Sequence, residues 1–262
     1  MSARLSDFDI STLAPATTAL FLDFDGTLAP IAEDPAAVVV AEATRVTLAR
    51  LEAVLGGALA IISGRSIDDV DKLIASHRIA VAGIHGLMRR DAEGRLHQAD
   101  FDRAALEDLT SQLQAATAGK AGLLLETKPG SVALHYRKRP DLKNFCAEAV
   151  AHAIAAHPNL TRLAGKMVIE VKAGARTKAD AVEDFMAEPP FHGRVPVYAG
   201  DDVTDEDAFR AVRGMGGHTI RVGHGETEAE FCAGVIDEFL RWLARLSAVL
   251  AARPADIMQE AE

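Results

Sequence analysis

Two aspartates, Asp23 and Asp25, stand directly after an apolar run, in the segment DFDGTL at 23–28. Burying two carboxylates so close together is unfavourable unless a cation or hydrogen bonds compensate them. Gly26 lets the backbone turn sharply just after the pair. Ligand sites in open α/β sheets lie at the carboxyl ends of strands. The segment therefore predicts a cation or phosphate site, although a DxD pair alone also fits an ordinary acidic loop.

Three later segments carry chemistry of the same kind. Ser63-Gly64-Arg65 follows a second apolar run, and a hydroxyl with backbone N–H groups opening a helix forms an anion cradle, although Ser-Gly also marks ordinary turns. Lys178 begins a later helix, where a lysine is usually solvated. Asp201, Asp202 and Asp205 place three carboxylates within five residues at another strand end, which suits a hard cation. The alternative is that Asp205 only N-caps the next helix and that the other two aspartates are solvated.

The elements that must position these residues alternate along the chain. Short β-rich runs alternate with amphipathic helical stretches, which is typical of an α/β fold with a parallel sheet and helices on both faces. Ser66 and Asp69 have the spacing of a capping box at one helix start. Strands are predicted at 18–24, 58–63, 79–83, 194–200 and 218–223, and helices at 42–55, after Ser66, at 178–187, near Asp205 and up to about Leu250.

The middle of the chain has a different pattern. Two β-rich runs, 122–128 and 131–137, flank Pro129-Gly130, which is a hairpin signal. A helix over 141–157 and strands near 160–163 and 166–172 are predicted to follow. This antiparallel α+β order predicts an inserted cap domain at 103–173, within a core formed by 1–102 and 174–262.

Charged residues of the predicted cap strands alternate with apolar ones. In 167–172 the apolar set Met167, Ile169 and Val171 is predicted to pack on the cap helix, with Glu170 and Lys172 on the other face. Segment 120–143 holds six Lys/Arg and two Asp/Glu in an otherwise acidic protein. The pattern alone favours a solvated sheet face. A charged concave face would instead suit many hydroxyls beside a phosphate, with Glu126 and Lys128 sharing one face, as do His135 and Arg137.

Composition excludes some classes of partner. The 262 residues carry a formal charge of −10, which argues against nucleic acid or an acidic membrane as the main partner. The sequence has no signal-peptide-type apolar stretch and no run long enough to span a membrane, so a cytoplasmic protein is expected. Cys146 and Cys232 have no paired spacing, which favours two reduced thiols.

The motifs together resemble a known superfamily. DFDGT, Ser63, Lys178 and GDDVTDED are similar to the four motifs of the haloacid dehalogenase (HAD) phosphatases. More narrowly, LDFDGTLAPI, IISGR, AGIHG, ALHYR, VIEVKAG and GDDVTDEDAF resemble the trehalose-6-phosphate phosphatase family from about Ala19 to Leu246. The resemblance implies a Rossmann-like parallel-sheet HAD core with an inserted α+β cap of the C2B type. It also implies Mg²⁺-dependent hydrolysis of trehalose 6-phosphate to trehalose and phosphate, as a step in trehalose biosynthesis.

The resemblance also assigns functions to individual residues. Asp23 would be the nucleophile, and Asp25 the general acid and then the general base. Ser63 and Lys178 would stabilise the phosphoryl oxygens. Mg²⁺ would be held by the Asp23 carboxylate, the Asp25 carbonyl and Asp201, with Asp202 and Asp205 as outer or secondary ligands. The implied substrate-binding residues are Arg65, His85, Gly86, Glu126, Lys128, Arg137 and Glu170.

Two alternatives stay open at the level of sequence. The chain could be a phosphatase or phosphomutase for another sugar phosphate, although a mutase should bind a bisphosphate and no second strong anion cradle is visible. It could also be a catalytically silent sugar-phosphate sensor, against which the intact pair of Asp23 and Asp25 counts. The expected ligand is a small sugar phosphate in each case, and the expected oligomeric state is a monomer.

Overall fold

The computed structural model describes residues 2–32, 37–165 and 167–253. Two compact units make up the chain, one formed by Met1–His97 with Thr177–Glu262 and the other by Gln98–Arg176. The units divide at 97/98 and 176/177, and the functional division into core and cap at 102/103 and 173/174 stays a prediction. No helix among these residues is both long and apolar enough to span a membrane.

The strands and helices follow in chain order. The strands are β1 (Ala3–Arg4), β2 (Thr18–Leu22), β3 (Leu59–Ile62), β4 (Ala80–Gly83), β5 (Met88–Arg90), β6 (Leu96–Gln98), β7 (Leu124–Lys128), β8 (Ser131–His135), β9 (Leu160–Gly165), β10 (Val168–Ala173), β11 (Val195–Gly200), β12 (His218–Val222) and β13 (Phe231–Ala233). The helices are α1 (Glu42–Val54), α2 (Ile67–Ile74), α3 (Arg103–Thr117), α4 (Lys143–Ile154), α5 (Lys178–Met186), α6 (Glu206–Gly214) and α7 (Ile236–Ala251).

The first unit is built on a mixed sheet. Within the described residues it has nine strands in the order β1-β13-β12-β11-β2-β3-β4-β5-β6. The pairs from β1 to β4 along this order are parallel, whereas β5 runs antiparallel to β4. The predicted parallel α/β core is confirmed, with an antiparallel edge. Because β2 lies between β3 and β11, the strand order reverses there, and such switch points are where ligands bind.

Buried apolar runs explain the parallel strands. All five residues of β2 and all four of β3 are buried. A parallel strand covered by helices on both faces needs a continuous apolar run rather than an alternating one. On α7, Phe239, Leu243, Leu246 and Leu250 are buried at helical spacing and face the same core.

The second unit is an antiparallel sheet with its own core. Its strand order is β7-β8-β10-β9, and β7 and β8 form the hairpin predicted around Pro129-Gly130. Helices α3 and α4 pack with the sheet's apolar face in a separate cluster that includes Leu109, Leu134 and Val171. The predicted helix at 141–157 is shorter than expected, because a 3₁₀ turn at Pro140–Leu142 precedes α4. Lys166, part of the predicted strand 166–172, lies outside the described residues.

Candidate functional site

Three strand ends meet at the switch point of the first unit. Asp23 directly follows β2, Ser63 follows β3, and Asp201 follows β11. The Asp23 N–H donates to the Ala199 carbonyl at 2.8 Å, and the β2–β3 pairing fixes the other side. Residues far apart in the chain therefore share one edge of the sheet, as the strand-end argument predicted.

Lys178 is buried against the Asp23 carboxylate rather than solvated. Its Nζ donates to Asp23 Oδ1 at 2.6 Å and to Asp205 Oδ1 at 2.7 Å. Burial by itself would lower the pKa of Lys178, but the charges of Asp205 and Asp23 raise that pKa above its ordinary value. The Thr27 hydroxyl donates to Asp23 Oδ2 at 3.1 Å. Asp23 is thus fixed through both carboxylate oxygens.

The acidic cluster around Asp23 fits a divalent cation. Carboxylate oxygens of Asp23, Asp201 and Asp205 lie within 4.8 Å of one another. Burial raises the pKa of Asp23 well above its ordinary value; Lys178 opposes this shift, and Asp205 and Asp201 add to it. The three carboxylates and the ammonium of Lys178, which contacts two of them, carry a formal net charge of −2. Oxygen-only ligands of this kind are what Mg²⁺ and other hard cations prefer.

The glycine of the DFDGT segment makes room for this cluster. Gly26 has φ +88°, and a Cβ built there would lie 2.1 Å from Asp201 Oδ2. Any other residue at position 26 would displace the carboxylate of Asp201. The local backbone and the close approach therefore both require glycine.

Asp205 anchors the loop after β11. Its Oδ1 accepts from Lys178 and from the Tyr198 hydroxyl at 2.7 Å, and its Oδ2 accepts from the N–H groups of Asp201 at 3.1 Å and Asp202 at 2.9 Å. Four donors occupy its lone pairs, so Asp205 positions Lys178 and the loop. The alternative that Asp205 only N-caps α6 is wrong, because its side chain makes no cap bond to that helix.

Two of these contacts, to Thr27 and Tyr198, were not predicted from the sequence. Tyr198 is fully buried inside β11, three residues before Asp201. A buried tyrosine hydroxyl usually has a hydrogen-bond partner, so a tyrosine in an otherwise apolar strand beside GDDVTD was an available signal. Thr27 belongs to the DFDGT segment itself.

Asp202 has a local partner. Its Oδ1 accepts from the Val203 N–H at 2.8 Å and caps the 3₁₀ turn Val203–Asp205. Asp202 does not belong to the carboxylate cluster formed by Asp23, Asp201 and Asp205 in the described part of the chain. Metal ligation by Asp202, and by the backbone carbonyl of Asp25, stays a prediction.

The Asp25 carboxylate is paired with Arg65. Arg65 donates from Nε to Asp25 Oδ2 and from Nη2 to Asp25 Oδ1, both at 2.7 Å. Such bidentate pairs are strong and fix the plane of the carboxylate. The Arg65 N–H also donates to Ser63 Oγ at 3.0 Å, so the Ser63 loop and Asp25 are held together. Arg65 therefore contacts the predicted acid/base residue, and its contact with a sugar stays a prediction.

His85 and Gly86 lie beside the Ser63 loop. The His85 N–H donates to the Ser63 carbonyl at 3.0 Å. The imidazole packs on Gly64, where an added Cβ would lie 2.7 Å from His85 Nε2. His85 is 8% exposed. All the predicted residues from the first and last thirds of the chain are thus gathered in the first unit.

The other four predicted residues belong to the second unit, and three of them lie on one face of its sheet. Glu126 and Glu170 each pair with Ala133, so they lie in one cross-strand row. Lys128 pairs with Ser131, two residues along the strands on the same face. Arg137 is half-buried and follows β8. The register confirms that Glu126 and Lys128 share a face with Glu170.

Glu126 lies close to two basic side chains of this polar face. Its Oε2 is 2.9 Å from His135 Nε2, and its Oε1 is 3.6 Å from Lys128 Nζ. The hydrogen bond from His135 is the main cause of a lowered pKa for Glu126, which partial burial opposes. Lys172 belongs to the same face by register, but it is buried and its ammonium donates to the Arg176 carbonyl.

Comparison with known proteins places the chain in a family. The family model for trehalose-phosphatase matches residues 21–232, a range that includes Asp23, Ser63, Lys178 and Asp201. The chain belongs to the trehalose-phosphatase family. The probable trehalose-phosphate phosphatase of Sinorhizobium fredii is 45% identical over 206 residues, covering 78% of this chain and 77% of that protein. The trehalose-6-phosphate phosphatase of Escherichia coli is 37% identical over 235 residues, covering 90% and 88%.

Solved structures confirm the fold of this family member. The C-terminal domain of Candida albicans trehalose-6-phosphate phosphatase superposes with a TM-score of 0.78 at 24% identity, covering 89% of this chain and 92% of that one. A phosphatase of the HAD superfamily from Bacteroides thetaiotaomicron superposes with a TM-score of 0.59 at 13% identity, covering 88% and 96%. At these identities the likeness concerns the fold alone, and the HAD fold predicted from the motifs is confirmed.

Proposed function

We propose that this chain is a Mg²⁺-dependent phosphatase that hydrolyses trehalose 6-phosphate to trehalose and phosphate. One observation supports this most: the stretch matching the trehalose-phosphatase family encloses a buried aspartate, Asp23, held 2.6 Å from the Lys178 ammonium beside further carboxylates. We also propose that the protein acts in the cytoplasm as a monomer, as its sequence leads us to expect.

Asp23 attacks phosphorus in the first step. A carboxylate oxygen of Asp23 forms the new P–O bond while the bond between phosphorus and the sugar oxygen breaks. Asp25, which must leave Arg65 and enter this step as the neutral acid, gives its proton to that leaving oxygen, so trehalose departs as a neutral alcohol. The product of this step is an aspartyl-phosphate on Asp23.

Water completes the reaction on the same residues. Asp25, now a carboxylate, removes a proton from a water molecule that attacks phosphorus and releases phosphate from Asp23. Lys178 and Ser63 donate to the phosphoryl oxygens as negative charge develops on them. Asp23, Asp201 and the Asp25 carbonyl would hold Mg²⁺, with Asp202 nearby, and the bound ion would neutralise negative charge on the phosphoryl group.

The second unit supplies residues for the sugar. Glu126, Lys128, Arg137 and Glu170 offer carboxylate acceptors and cationic donors, which together suit the many hydroxyls of a disaccharide. Arg65, His85 and Gly86 are the further sugar-binding residues that the family resemblance implies. Binding energy used on the sugar can lower the barrier at phosphorus when it is realised in the transition state.

Phosphate release from a panel of monoesters tests this function. The purified chain with Mg²⁺ is given trehalose 6-phosphate, glucose 6-phosphate, glucose 1-phosphate, sucrose 6-phosphate and p-nitrophenyl phosphate. We expect the highest kcat/KM for trehalose 6-phosphate. Isomerisation of glucose 1-phosphate without phosphate release would identify a mutase instead. Binding of trehalose 6-phosphate with no release from any ester would identify a sensor.

A further inference from the structure

Three consecutive residues after β4 have a left-handed backbone. Ile84, His85 and Gly86 have φ values of 53°, 52° and 91°. Positive φ is unfavourable for L-residues and most unusual for a β-branched one such as Ile84. A strained conformation of this kind persists only where the surroundings over-determine it, and it is enriched at functional sites. Specific contacts with neighbouring residues must therefore stabilise the turn 84–86.

On one side the turn is tied to the Ser63 loop. The Ile84 N–H donates to the Arg65 carbonyl at 3.0 Å, and the His85 N–H donates to the Ser63 carbonyl at 3.0 Å. The Ile84 side chain is fully buried, which anchors the turn in the core. Both bonds run from backbone to backbone, so the turn and the predicted phosphate cradle form one rigid piece.

On the other side the turn touches the start of α5. A Cβ built on Gly86 would lie 2.8 Å from the Thr177 carbonyl oxygen and 3.2 Å from the Ala181 Cβ. Thr177 is the N-cap of α5, and its N–H donates to Asp180 Oδ2 at 2.6 Å in a capping box. The neighbour of Gly86 is thus backbone of a helix cap, which moves only if the start of α5 moves with it.

We propose that Gly86 is a positioning residue that sets the distance between the Ser63 cradle and Lys178. Lys178 directly follows Thr177, so any shift of the Thr177 carbonyl displaces the ammonium that contacts Asp23. Gly86 acts by lacking a Cβ, a role separate from the sugar contact expected for it from the sequence. The inference rests on the proposed function, because it concerns groups that hold the phosphoryl oxygens.

Gly86→Ala compared with Gly94→Ala tests the proposal. Gly94 has φ +85° and no atom within 4 Å of a built Cβ, so it carries the same backbone strain without the contact. Displacements near 1 Å in an active site reduce rates by about 100-fold. We expect Gly86→Ala to lower kcat by about 10-fold or more on both trehalose 6-phosphate and p-nitrophenyl phosphate, with KM nearly unchanged. Gly94→Ala should lose similar stability and keep its kcat.

Tungstate, a phosphate mimic, separates this inference from the proposed function. Its Kd, measured by calorimetry with Mg²⁺ present, should rise about tenfold in Gly86→Ala but not in Gly94→Ala. If the wild-type chain hydrolysed no ester, the proposed function would fail while the tungstate comparison still tested Gly86. A raised KM for trehalose 6-phosphate alone, or equal kcat and tungstate Kd in the two variants, would overturn the positioning assignment.

A second variant covers the case in which Gly86→Ala does not fold. Gly64 has no left-handed φ, and its built Cβ would meet the His85 ring 2.7 Å away, pushing the same turn from the cradle side. Gly64→Ala should therefore also lower kcat on both substrates. A kcat and a tungstate Kd within twofold of wild type would show that the turn does not position the Ser63 cradle relative to Lys178.

Discussion

The two units hold their charged residues in different ways. In the first unit, Asp23, Lys178 and Asp205 follow strands or begin a helix, and each is less than a tenth exposed. Their contacts are 2.6 and 2.7 Å. In the second unit, Glu126 and Lys128 are strand residues on a half-buried face. Lys128 Nζ lies 3.6 Å from Glu126 Oε1, and His135 Nε2 lies 2.9 Å from Glu126 Oε2. One unit fixes a few buried charges in one geometry, whereas the other carries half-buried charges along one face of its sheet.

This difference suggests a division of labour. Buried, fully bonded charges suit a reaction whose geometry must not vary, because removing one partner leaves another charge uncompensated. Half-buried charges on an antiparallel sheet can be replaced one at a time with little effect on the core behind them. We expect changes to the buried charges of the first unit to affect every phosphate ester, and changes to the charged sheet face of the second unit to affect only esters with a sugar.

The largest effect is expected from Asp23→Asn. The substitution keeps the size of the side chain and removes the charge of the attacking oxygen, so turnover of all esters should fall by about 10³-fold or more. Asp9→Asn is the matched control, because Asp9 is exposed and asparagine also caps its 3₁₀ turn. Near-native phosphate release by a folded Asp23→Asn protein would show that Asp23 is not the nucleophile.

Metal removal should affect all esters to the same degree. EDTA is expected to stop hydrolysis of both trehalose 6-phosphate and p-nitrophenyl phosphate, and Mg²⁺ to restore it. Ca²⁺ should support activity poorly, since its larger shell tolerates Asp23 as a bidentate ligand and spoils in-line attack. Full activity in metal-free buffer would show that the carboxylate cluster serves another purpose.

Tyr198→Phe should have a smaller effect of the same kind. The change removes the hydroxyl that donates to Asp205 and keeps the ring, which packs edge-on against Phe209 at 5.7 Å. Loss of a hydrogen bond to a charged group should loosen Lys178 and lower kcat about 10- to 100-fold for both esters. Tyr136→Phe, in the core of the second unit, is the control and should keep its kcat. An unchanged kcat in Tyr198→Phe would limit that hydroxyl to a structural contribution.

The residues at strand ends were predictable because one rule covers them. Buried apolar runs identified β2, β3 and β11, and parallel strands bring their carboxyl ends together. The strands β1, β5, β6 and β13 have only two or three residues, too few to show a periodicity. Helix α3 was not predicted. Asp102 caps it, and Leu106, Leu109 and Leu113 form its buried stripe. The alanines and polar residues between these leucines make the helical periodicity weak.

Contacts between distant side chains were the least predictable part. The pairing of Arg65 with Asp25 spans 40 positions, and that of Lys178 with Asp23 spans 155. No local pattern encodes which partner a buried charge will find, because the fold alone decides which strand ends are neighbours. The left-handed turn at Ile84–Gly86 was hidden for the same reason, since only its packed neighbours stabilise it.

Glu170→Ala, assayed on two substrates, tests the division of labour most directly. Loss of a charge-assisted hydrogen bond to the sugar should lower kcat/KM for trehalose 6-phosphate by about tenfold or more, and should barely change that for p-nitrophenyl phosphate, which has no sugar. Glu148→Ala, on the exposed side of α4, removes the same charge from the second unit and should leave both values unchanged. Equal losses on the two substrates, or no loss on either, would contradict the assignment of sugar recognition to this face.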